Sequence, residues 1–422
     1  MQKTYVFFTA NISNIGGAQL YIKNKSIYLE ENGWIVFIFS GNNKNLMINY
    51  FTDNDNNYLI PEFKFYPYLF SDKIQQSTIS NIEGALLSTV NKGSTDVMII
   101  ESHTDRTALW GELLAKKINC KNFVFLLNEN FRKLPNFLLN YFEFKHGRKE
   151  LAGINPKSLG LLFKEYKTLN ESECYSLKAI NAVNNVADIS DPDIDKLIKL
   201  DINIGCISRF EKTYMKPMVD EIVLFASHHE DLSIQVVLIG GSTVKGTERD
   251  IEVKFSKAKN VKLTMTGPKN PIPRRLFQII DIFISTAGSA RVCAQEGSLT
   301  MTLDRESHRP IGLLGIDTNA TLFSDHTTNR SVSELLEDVL INKQLHKGEF
   351  QVNSDLDSLN VQNEFSNHLN FIQLSNIEKE YFDVAFSKLP FREQVIRFLI
   401  KIFGYKMVGR LIRLYKKVGI SI

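Results

Sequence analysis

The chain has 422 residues, of which 43% are apolar and 23% charged, and its formal net charge is +3. This composition is that of a folded globular protein and excludes a disordered chain. The small net charge gives no reason to expect nucleic acid as a partner. A chain of this length exceeds one ordinary hydrophobic core, so it is expected to form two domains.

The cysteine pattern and the apolar runs bear on the cellular compartment. Cys120, Cys174, Cys206 and Cys293 are scattered without the close spacing of metal-binding or redox pairs, which predicts a reducing compartment and no metal site. Residues 5–9 form a strand-length apolar run rather than a signal peptide. No apolar run is long enough to span a bilayer, so the sequence predicts a cytoplasmic protein.

The first half begins with a strand, a glycine loop, a helix and a second strand. Apolar runs at residues 5–9 and 34–39 flank a helix predicted over residues 19–31, which together indicate a right-handed βαβ unit. The loop carries Gly16 and Gly17, which would let a ligand approach the backbone amides. Tight helix packing is the alternative reason for these glycines. The loop lacks the dinucleotide fingerprint, so NAD is not expected.

Polar residues follow two further strands predicted in the first half, over residues 96–101 and 122–127. Ligands of open parallel sheets bind beyond the carboxyl ends of the strands. His103, Asn128 and Glu129 occupy such positions. We expect them at a ligand site, with a structural role for a single histidine as the alternative.

A linker is predicted between the two halves. Residues 182–187 have the pattern of a last strand of the first half. Residues 188–195 then contain Pro192 and several turn-forming residues, which favours an interdomain hinge. The aspartates of this segment are interpreted as solvated carboxylates rather than metal ligands.

A strand, a cationic loop and a helix open the second half. The apolar run at residues 202–207 predicts a strand, and residues 217–228 have the pattern of a helix. Arg209 lies in the loop between them, and Lys216 immediately precedes the helix. A helix N-terminus with two cations suits a phosphorylated ligand.

The later strands of the second half stop at turns of small residues, as a nucleotide site built from backbone amides requires. These strands are predicted over residues 234–239, 261–266 and 281–285, and the turns contain Gly240, Gly241, Gly267, Pro268 and Ser289. A helix after the last turn ends near Glu296.

The order and spacing of these segments resemble the donor domain of the retaining, GT-B-fold family-4 glycosyltransferases, particularly those of bacterial surface-polysaccharide synthesis. The resemblance covers most of residues 1–320. It is carried by residues 208–216, 239–241, 266–267 and 280–285, by the helix ending at Glu296, and by residues 14–19, which are similar to the family's first glycine loop. It implies an α/β chain with two Rossmann-like domains facing a cleft, which transfers a sugar from a nucleotide-sugar to a glycan or lipid-linked acceptor.

The resemblance also implies residue roles. Arg209 and Lys216 would neutralise the departing donor diphosphate, and His103 would lie near the transferred sugar, which makes these three the expected catalytic set. Glu296 would accept hydrogen bonds from the ribose. The other implied donor-binding residues are Gly16, Gly17, Gly240, Gly241, Gly267, Pro268, Ser289 and Arg291, and the expected acceptor-binding residues are Asn128 and Glu129. The family needs no metal and no cofactor besides its nucleotide-sugar substrate.

One departure from the family pattern concerns the donor sugar. The family places a second glutamate eight residues before the position of Glu296, and this chain has Gly288 there. Either Ser289 and Arg291 supply the polar contacts instead, or the donor sugar is held differently.

A second departure concerns the phosphate lysine. The spacing from Arg209 to Lys216 is longer than the family's and contains Lys212. Lys216 is favoured because it lies against the predicted helix start, and Lys212 is the alternative.

Three other functions stay open at this point. The chain could be a catalytically inactive binding or scaffold protein that kept the GT-B fold. It could also be an inverting GT-B transferase or a sugar-nucleotide epimerase, either of which would need Glu129 or His103 as a general base.

The C-terminal residues have a composition of their own. Residues 388–417 contain nine basic residues and one acidic residue, Glu393, interleaved with apolar side chains. This pattern predicts amphipathic helices divided at Gly404, which would attach the protein to an anionic membrane surface. Packing of the apolar face on the protein itself is the alternative.

Three regions are therefore expected. Residues 1–190 are predicted to form an N-terminal Rossmann-like acceptor domain, residues 201–375 a C-terminal Rossmann-like donor domain, and residues 376–422 a basic amphipathic tail. The predicted location is the cytoplasm, peripheral at the inner face of the cell membrane.

Overall fold

The computed structural model divides into two compact units. The first contains Met1–Ile180 and Val361–Ile422, and the second contains Asn181–Asn360. Each unit has its own hydrophobic core. The structure describes residues 2–44, 46–89, 95–127, 134–183, 185–323, 329–342, 361–375, 380–384 and 391–417.

The first unit is built on a six-stranded parallel sheet. In chain order its strands are β1 (Gln2–Thr9), β2 (Trp34–Ser40), β3 (Asn57–Leu59), β4 (Thr95–Ser102), β5 (Lys121–Leu126) and β6 (Leu151–Gly153). Their order across the sheet is β3-β2-β1-β4-β5-β6. The chain therefore reverses its direction of strand addition between β1 and β4, which is where doubly wound sheets bind ligands.

Helices cover this sheet, and their apolar sides form the first core. They are α1 (Gly17–Glu31), α2 (Asn49–Thr52), α3 (Asp72–Thr89), α4 (Asp105–Ile118), α5 (Asn136–Gly147) and α6 (Pro156–Phe163). Helix α4 shows how local sequence sets the boundaries. A capping box of Thr104 and Thr107 satisfies its first amides, and Asn119 ends it in a left-handed conformation.

The second unit repeats the plan with a second six-stranded sheet. The strands of this unit are β7 (Val186–Ala187), β8 (Ile202–Ile207), β9 (Ile234–Ile239), β10 (Val261–Met265), β11 (Ile272–Pro273), β12 (Ile282–Ser285), β13 (Leu299–Leu303) and β14 (Pro310–Leu313). The sheet order is β10-β9-β8-β12-β13-β14, so strand addition reverses between β8 and β12. Among the described strands, only β14 is antiparallel to its neighbour, β13.

The helices of the second unit lie between these strands. They are α7 (Pro192–Asp195), α8 (Met215–His228), α9 (Thr247–Phe255), α10 (Arg275–Ile279), α11 (Ala287–Gln295) and α12 (Val332–Leu336). The predicted α/β fold with parallel sheets is confirmed. One local prediction is wrong, because Ser289 lies in the first turn of α11 rather than in a turn before the helix.

The predicted linker is a structured part of the second unit. Strand β7 pairs with β11, so residues 182–187 do not supply a strand to the first sheet. Asp191 and Asp193 lie 2.7 and 2.9 Å from the ammonium of Lys269. Burial opposes the charge of Lys269, yet these carboxylates raise the pKa of Lys269 above its usual range. The aspartates are thus ion-pair partners rather than freely solvated hinge residues.

Two C-terminal helices belong to the first unit. Helix α13 (Val361–Leu374) packs on α1, where the rings of Phe365 and Tyr28 lie 5.3 Å apart. The donor domain predicted from the sequence extends to residue 375. Residues 361–374 instead form a helix of the first unit, because Phe365 and Ile372 are buried against it.

The last described helix is α14 (Phe391–Lys417), which breaks at Gly404, where φ is 73°. Ile400 and Val408 are buried in the first core, and Tyr405 packs edge-on against Phe70. Among the described residues, no helix combines the length and the apolar character that crossing a bilayer requires.

Candidate functional site

The carboxyl ends of three neighbouring strands meet closely in the second unit. The amide of Ser208, after β8, donates to the carbonyl of Ile239 at 3.0 Å, and the amide of Gly240, after β9, donates to the carbonyl of Gly267 at 3.0 Å. These backbone bonds draw the turns after β8, β9 and β10 together at the edge where a ligand of a parallel sheet binds.

The glycines at this edge differ in whether the backbone conformation and the surrounding space require glycine. Gly240 has a φ of +146°, and a Cβ atom there would lie 1.8 Å from the carbonyl oxygen of Ser208. Gly267 has a φ of +73° with open space around it. Gly241 has neither restriction, since its nearest neighbours would be Glu248 at 3.6 Å and Pro268 at 3.7 Å. Gly240 is therefore required by the backbone, and Gly241 has room for a side chain.

A buried tyrosine joins the two strands at which strand addition reverses. The hydroxyl of Tyr214 lies 2.6 Å from Ser208 Oγ, after β8, and accepts a hydrogen bond from Thr286 Oγ1, after β12, at 3.2 Å. Burial raises the pKa of Tyr214 above its usual range, so the phenol stays protonated. Tyr214 was not predicted as a site residue, since a single tyrosine before a helix gives no distinctive sequence signal.

The three predicted cations of this loop lie in different environments. Arg209 is 60% exposed, and its Nη1 atom lies 3.6 Å from Glu211 Oε1. Lys216 is exposed in the first turn of α8 and makes no hydrogen bond or ion pair with the described residues. Lys212 is partly buried, with its ammonium 6.0 Å from the centre of the Tyr214 ring.

The thiol of Cys206 gives a second indication of where Lys212 lies. Burial raises the pKa of Cys206, on β8, to about 12, and the positive charge of Lys212 opposes that shift. The positive charge of Lys212 therefore lies near the carboxyl end of β8. Lys216, the lysine favoured from the sequence, begins the helix farther along.

The N-terminus of α11 offers unpaired backbone donors at the same edge. Thr286 is the N-cap residue, and its side chain makes no hydrogen bond to the amides of the helix. In the part of the chain that the structure describes, the amides of Gly288 and Ser289 have no acceptor. Ala287 has a φ of 53°, a left-handed conformation that is uncommon for residues other than glycine. Free amides at a helix start favour an anion.

Gly288 stands at the position where the family pattern has a glutamate, and the neutral side chain of Asn181 lies beside it. A Cβ atom at Gly288 would lie 2.3 Å from Asn181 Oδ1, so the carboxamide fills the space a larger residue would need. One turn later, Arg291 is partly buried and makes no hydrogen bond or ion pair with any described residue. Burial lowers the pKa of Arg291 from its usual range. A desolvated cation at this place would gain from an anionic partner.

Glu296 lies at the opposite end of α11. Its Oε2 atom forms an ion pair with Arg274 Nη1, and Arg274 also bonds Asp188 at 3.1 Å. The nine residues of α11 place Glu296 about 13 Å along the helix axis from its N-terminus. The structure therefore gathers Arg209, Lys212 and the amides of α11 at one edge and sets Glu296 apart.

In the first unit, the predicted histidine lies at the corresponding edge of the first sheet. His103 follows β4, and its backbone amide donates to the carbonyl of Phe8 on β1 at 3.1 Å. Its Nε2 atom lies 2.8 Å from Glu101 Oε1, while its Nδ1 atom is buried without a partner among the described residues. The ring is only 2% exposed.

Glu101 holds this histidine from a fully buried position. Its Oε2 atom accepts hydrogen bonds from Lys25 and Tyr5, both at 2.5 Å, and its Oε1 atom accepts one from Tyr21 at 2.9 Å. Burial alone would raise the pKa of Glu101, but Lys25 and the bond from His103 keep it well below its usual range. The carboxylate is therefore ionised, and each of its oxygens has two donors. Glu101 was not predicted as a site residue, because a strand residue with apolar neighbours in the sequence is usually interpreted as part of the core.

Of the other residues predicted as site residues in the first unit, the structure describes only the two loop glycines. Gly16 is the N-cap of α1 in an extended conformation, without a side-chain cap, and α1 begins at Gly17. A Cβ atom at Gly16 would meet only the flexible end of Gln19, at 2.7 Å. Asn128 and Glu129 lie outside the described residues.

No protein-family model and no curated protein matches this sequence. Solved structures with low sequence identity share the fold. One is Alr3699/HepE of Anabaena in complex with UDP-glucose, with a TM-score of 0.59 and 10% identity over 87% of this chain and 99% of that chain. Another is a glycosyltransferase from Rickettsia africae ESF-5, with a TM-score of 0.57 and 13% identity over 88% and 96%.

An isomerase also has this fold. A putative UDP-N-acetylglucosamine 2-epimerase from Listeria monocytogenes matches with a TM-score of 0.50 and 12% identity over 91% of this chain and 100% of that chain. The likeness spans both units in each case, and it defines the chain as a GT-B-like α/β protein.

Proposed function

We propose that this protein is a glycosyltransferase that moves a sugar from a nucleotide-sugar donor to a glycan or lipid-linked acceptor. The observation that supports it most is the edge of the second sheet between β8 and β12. There the free amides of α11, the guanidinium of Arg209 and the ammonium of Lys212 provide donors and positive charge for a diphosphate.

The chemistry follows from the charge that develops when the sugar leaves. Breaking the glycosyl bond puts additional negative charge on the diphosphate. Fixed cations and amide donors bind that charge more strongly in the transition state than in the ground state, which accelerates the reaction. Tyr214 holds the strand ends in place through Ser208 and Thr286, so these donors need little reorganisation.

The stereochemistry and the biological setting are also proposals. The resemblance to family-4 enzymes implies retention of the anomeric configuration, in which the bound diphosphate could accept the proton of the attacking hydroxyl. The same resemblance implies a role in bacterial surface-polysaccharide synthesis. Lys216 and Glu296 stay in the proposal as secondary donor contacts, with Lys212 as the first candidate for the phosphate lysine.

We further propose peripheral attachment at the inner face of the cell membrane, through residues 388–417. The support comes from α14, whose buried residues pack on the first core while apolar residues of another face stay exposed. These are Phe391, Val395, Phe398 and Ile402, named here the apolar stripe. They recur at helical spacing, and the exposed cations Arg397 and Lys401 flank them.

The central test is nucleotide binding followed by product analysis. Calorimetry with UDP, GDP and dTDP would identify the nucleotide, and Arg209→Ala and Lys212→Ala should each weaken its binding about tenfold or more. Arg249→Ala is the matched control, because Arg249 is an exposed arginine on α9. Equal affinity in all variants would refute the diphosphate site.

Incubation with the matching nucleotide-sugars then distinguishes the possible activities. Transfer or slow donor hydrolysis supports the proposal, and the anomer of the product reports retention or inversion. Conversion of one nucleotide-sugar into its epimer would identify an epimerase instead. Nucleotide binding without any turnover would identify a binding protein that kept the fold.

A further inference from the structure

Glu211, in the loop between β8 and α8, has a carboxylate oxygen without a hydrogen-bond partner among the described residues. This oxygen, Oε2, is buried although the side chain as a whole is 20% exposed. A carboxylate only accepts hydrogen bonds, and buried polar atoms of folded proteins are nearly always bonded. Oε2 of Glu211 therefore has a place for a donor that the described part of the chain does not supply.

The contacts of the other carboxylate oxygen place Glu211 at the carboxyl edge of the second sheet. Oε1 lies 3.6 Å from Nη1 of Arg209 and accepts a hydrogen bond from Oγ1 of Thr243, in the turn after β9, at 3.4 Å. The backbone holds the same two turns together, because the amide of Phe210 donates to the carbonyl of Gly241 at 3.0 Å. Glu211 thus lies between the turns after β8 and β9, beside the guanidinium assigned to the diphosphate.

Two other carboxylates of the second unit already have partners. Oε2 of Glu296 pairs with Arg274 at the far end of α11. Oε1 of Glu248, in the first turn of α9, accepts a hydrogen bond from the amide of Ser242 at 3.2 Å. Glu211 differs from both in combining a buried, unpartnered oxygen with a position inside the cationic loop.

Charge decides which chemical group suits this oxygen. A diphosphate carries negative charge and offers acceptors, so it cannot bond Oε2 of Glu211 and is repelled by it. A further cation is not required, since Arg209 already lies beside the carboxylate. A neutral hydroxyl group supplies the donor without adding charge. In a nucleotide-sugar, hydroxyl groups flank the diphosphate on both sides, on the pentose and on the transferred sugar.

We propose that Glu211 determines the specificity of the donor site by accepting a hydrogen bond from a hydroxyl group next to the diphosphate. The hydroxyl belongs either to the pentose or to the transferred sugar, and its bond satisfies Oε2. The same carboxylate opposes the binding of a phosphate group that brings no hydroxyl, because its negative charge lies beside Arg209. The inference rests on the proposed function, whose diphosphate site it extends.

Calorimetry with the full chain compares the wild type with Glu211→Gln. UDP, 2′-deoxy-UDP and 3′-deoxy-UDP probe the pentose, and UDP-glucose and UDP-galactose probe the sugar; GDP, its deoxy forms and GDP-mannose replace them if GDP is the nucleotide bound. A hydroxyl bond to a carboxylate is charge-assisted. The wild type should therefore bind UDP about tenfold more tightly than one of its deoxy forms, or a UDP-sugar about tenfold more tightly than UDP. Glu211→Gln should reduce that difference to about twofold.

Inorganic pyrophosphate, the probe without hydroxyl groups, separates recognition from structural damage. Glu211→Gln should bind pyrophosphate at least as tightly as the wild type, because it removes a negative charge beside Arg209. A structural defect would weaken pyrophosphate and nucleotides alike, and that result would contradict the specificity role.

A second variant and a matched control complete the comparison. Glu211→Ala has no acceptor, so it should lose the hydroxyl-dependent difference even if the amide oxygen of Glu211→Gln still accepts. Glu252→Gln is the control, since Glu252 is an exposed glutamate of α9 and its variant should keep the wild-type affinities. Thermal denaturation verifies that each variant is folded.

Each outcome supports or overturns the assignment. Loss of the deoxy-nucleotide difference in the Glu211 variants assigns the hydroxyl to the pentose, and loss of the UDP-sugar difference assigns it to the sugar. If both variants keep every difference, Glu211 is only a counter-ion of Arg209 and the proposal is wrong. If the wild type shows no difference between probes, Oε2 binds water only and the proposal is also wrong. A wild type that binds neither nucleotides nor pyrophosphate refutes the diphosphate site of the proposed function, and the role of Glu211 with it.

Discussion

The Nε2 atom of His103 lies 2.8 Å from Oε1 of Glu101, and both side chains are buried. The two residues are two positions apart at the end of β4, so their side chains project to the same face of the sheet. On that face, α1 supplies Lys25 and Tyr21 to the same carboxylate. A polar cluster thus runs from the interior of the first unit to the edge where His103 stands.

The ion pair of Lys25 and Glu101 should be costly to break from one side. We expect Lys25→Met to lower the free energy of unfolding by about 3 kcal/mol or more, because it leaves a buried carboxylate without its counter-charge. Lys25→Met/Glu101→Gln should recover most of this loss. Urea denaturation followed by far-ultraviolet circular dichroism measures both, and a double variant no more stable than Lys25→Met would contradict the explanation.

His368 should make the first unit sensitive to mild acid. Burial, with the nearby charge of Lys25, lowers the pKa of His368 from 6.5 to about 3. Between these values the unfolded chain binds a proton that the folded chain does not. The contribution of His368 to the free energy of unfolding is therefore fully present above pH 6.5 and is lost as the pH drops. From pH 7 to pH 5 the loss should be about 2 kcal/mol.

The matching variant is His368→Gln, whose free energy of unfolding should depend less on pH over that window. Glu101 does not interfere, because its pKa is held below its usual range and its contribution is lost only under more acidic conditions. Urea denaturation at pH 7, 6 and 5 makes the comparison. Parallel curves for the variant and the wild type would mean that His368 is protonated in the folded state.

Much of the sheet architecture could be predicted from local sequence. Strand β8 is an apolar run between polar turns, and the run at β9 ends at Gly240, so both were placed within a residue of their observed bounds. Such strands are buried on both faces, and continuous apolar runs are typical of them. The same reasoning placed His103 at a strand end.

The features that were missed depend on partners distant in sequence. Residues 361–374 are mostly polar, and their helix is stabilised when Phe365 and Ile372 meet α1, which lies more than 300 residues earlier. Strand β7 has two residues and exists because β11 pairs with it. The Tyr214 contact with Thr286 likewise joins positions that are 72 residues apart in the sequence.

The two adjacent glycines after β9 should respond differently to alanine. Gly240→Ala places a methyl group against the carbonyl oxygen of Ser208, in a backbone conformation that alanine rarely adopts. We expect it to destabilise the second unit by about 3 kcal/mol or more, or to prevent its folding. Gly241→Ala has room for its methyl group and should stay within about 1 kcal/mol of the wild type.

This pair also separates a structural glycine from a ligand-binding one. Gly241→Ala can be assayed by UDP calorimetry because it should fold, and weaker binding would support close approach of a ligand to this turn. Thermal denaturation supplies the stability comparison. Equal stability of the two alanine variants would show that the turn after β9 can relax away from Ser208.

Membrane attachment through α14 should depend on the apolar stripe and not on the buried face of the helix. Phe391 and Phe398 are 81% and 60% exposed, and they share the stripe with Val395 and Ile402. Flotation with vesicles of phosphatidylcholine containing phosphatidylglycerol should recover the wild-type chain. Phe398→Glu/Ile402→Glu should reduce the bound fraction at least about tenfold, because two inserted apolar side chains become anionic.

Leu374→Glu is the matched control, since Leu374 is 83% exposed on α13, outside the stripe. It adds one negative charge to an exposed leucine of the same unit and should float like the wild type. Salt should weaken binding because Arg397 and Lys401 act through their charge, each contributing about 1 kcal/mol near an anionic surface. Flotation of the stripe variant at the wild-type level would refute attachment through this face. Concentration-dependent dimerisation of the wild type without lipid, abolished by the same substitutions, would assign the stripe to a second copy of the chain instead.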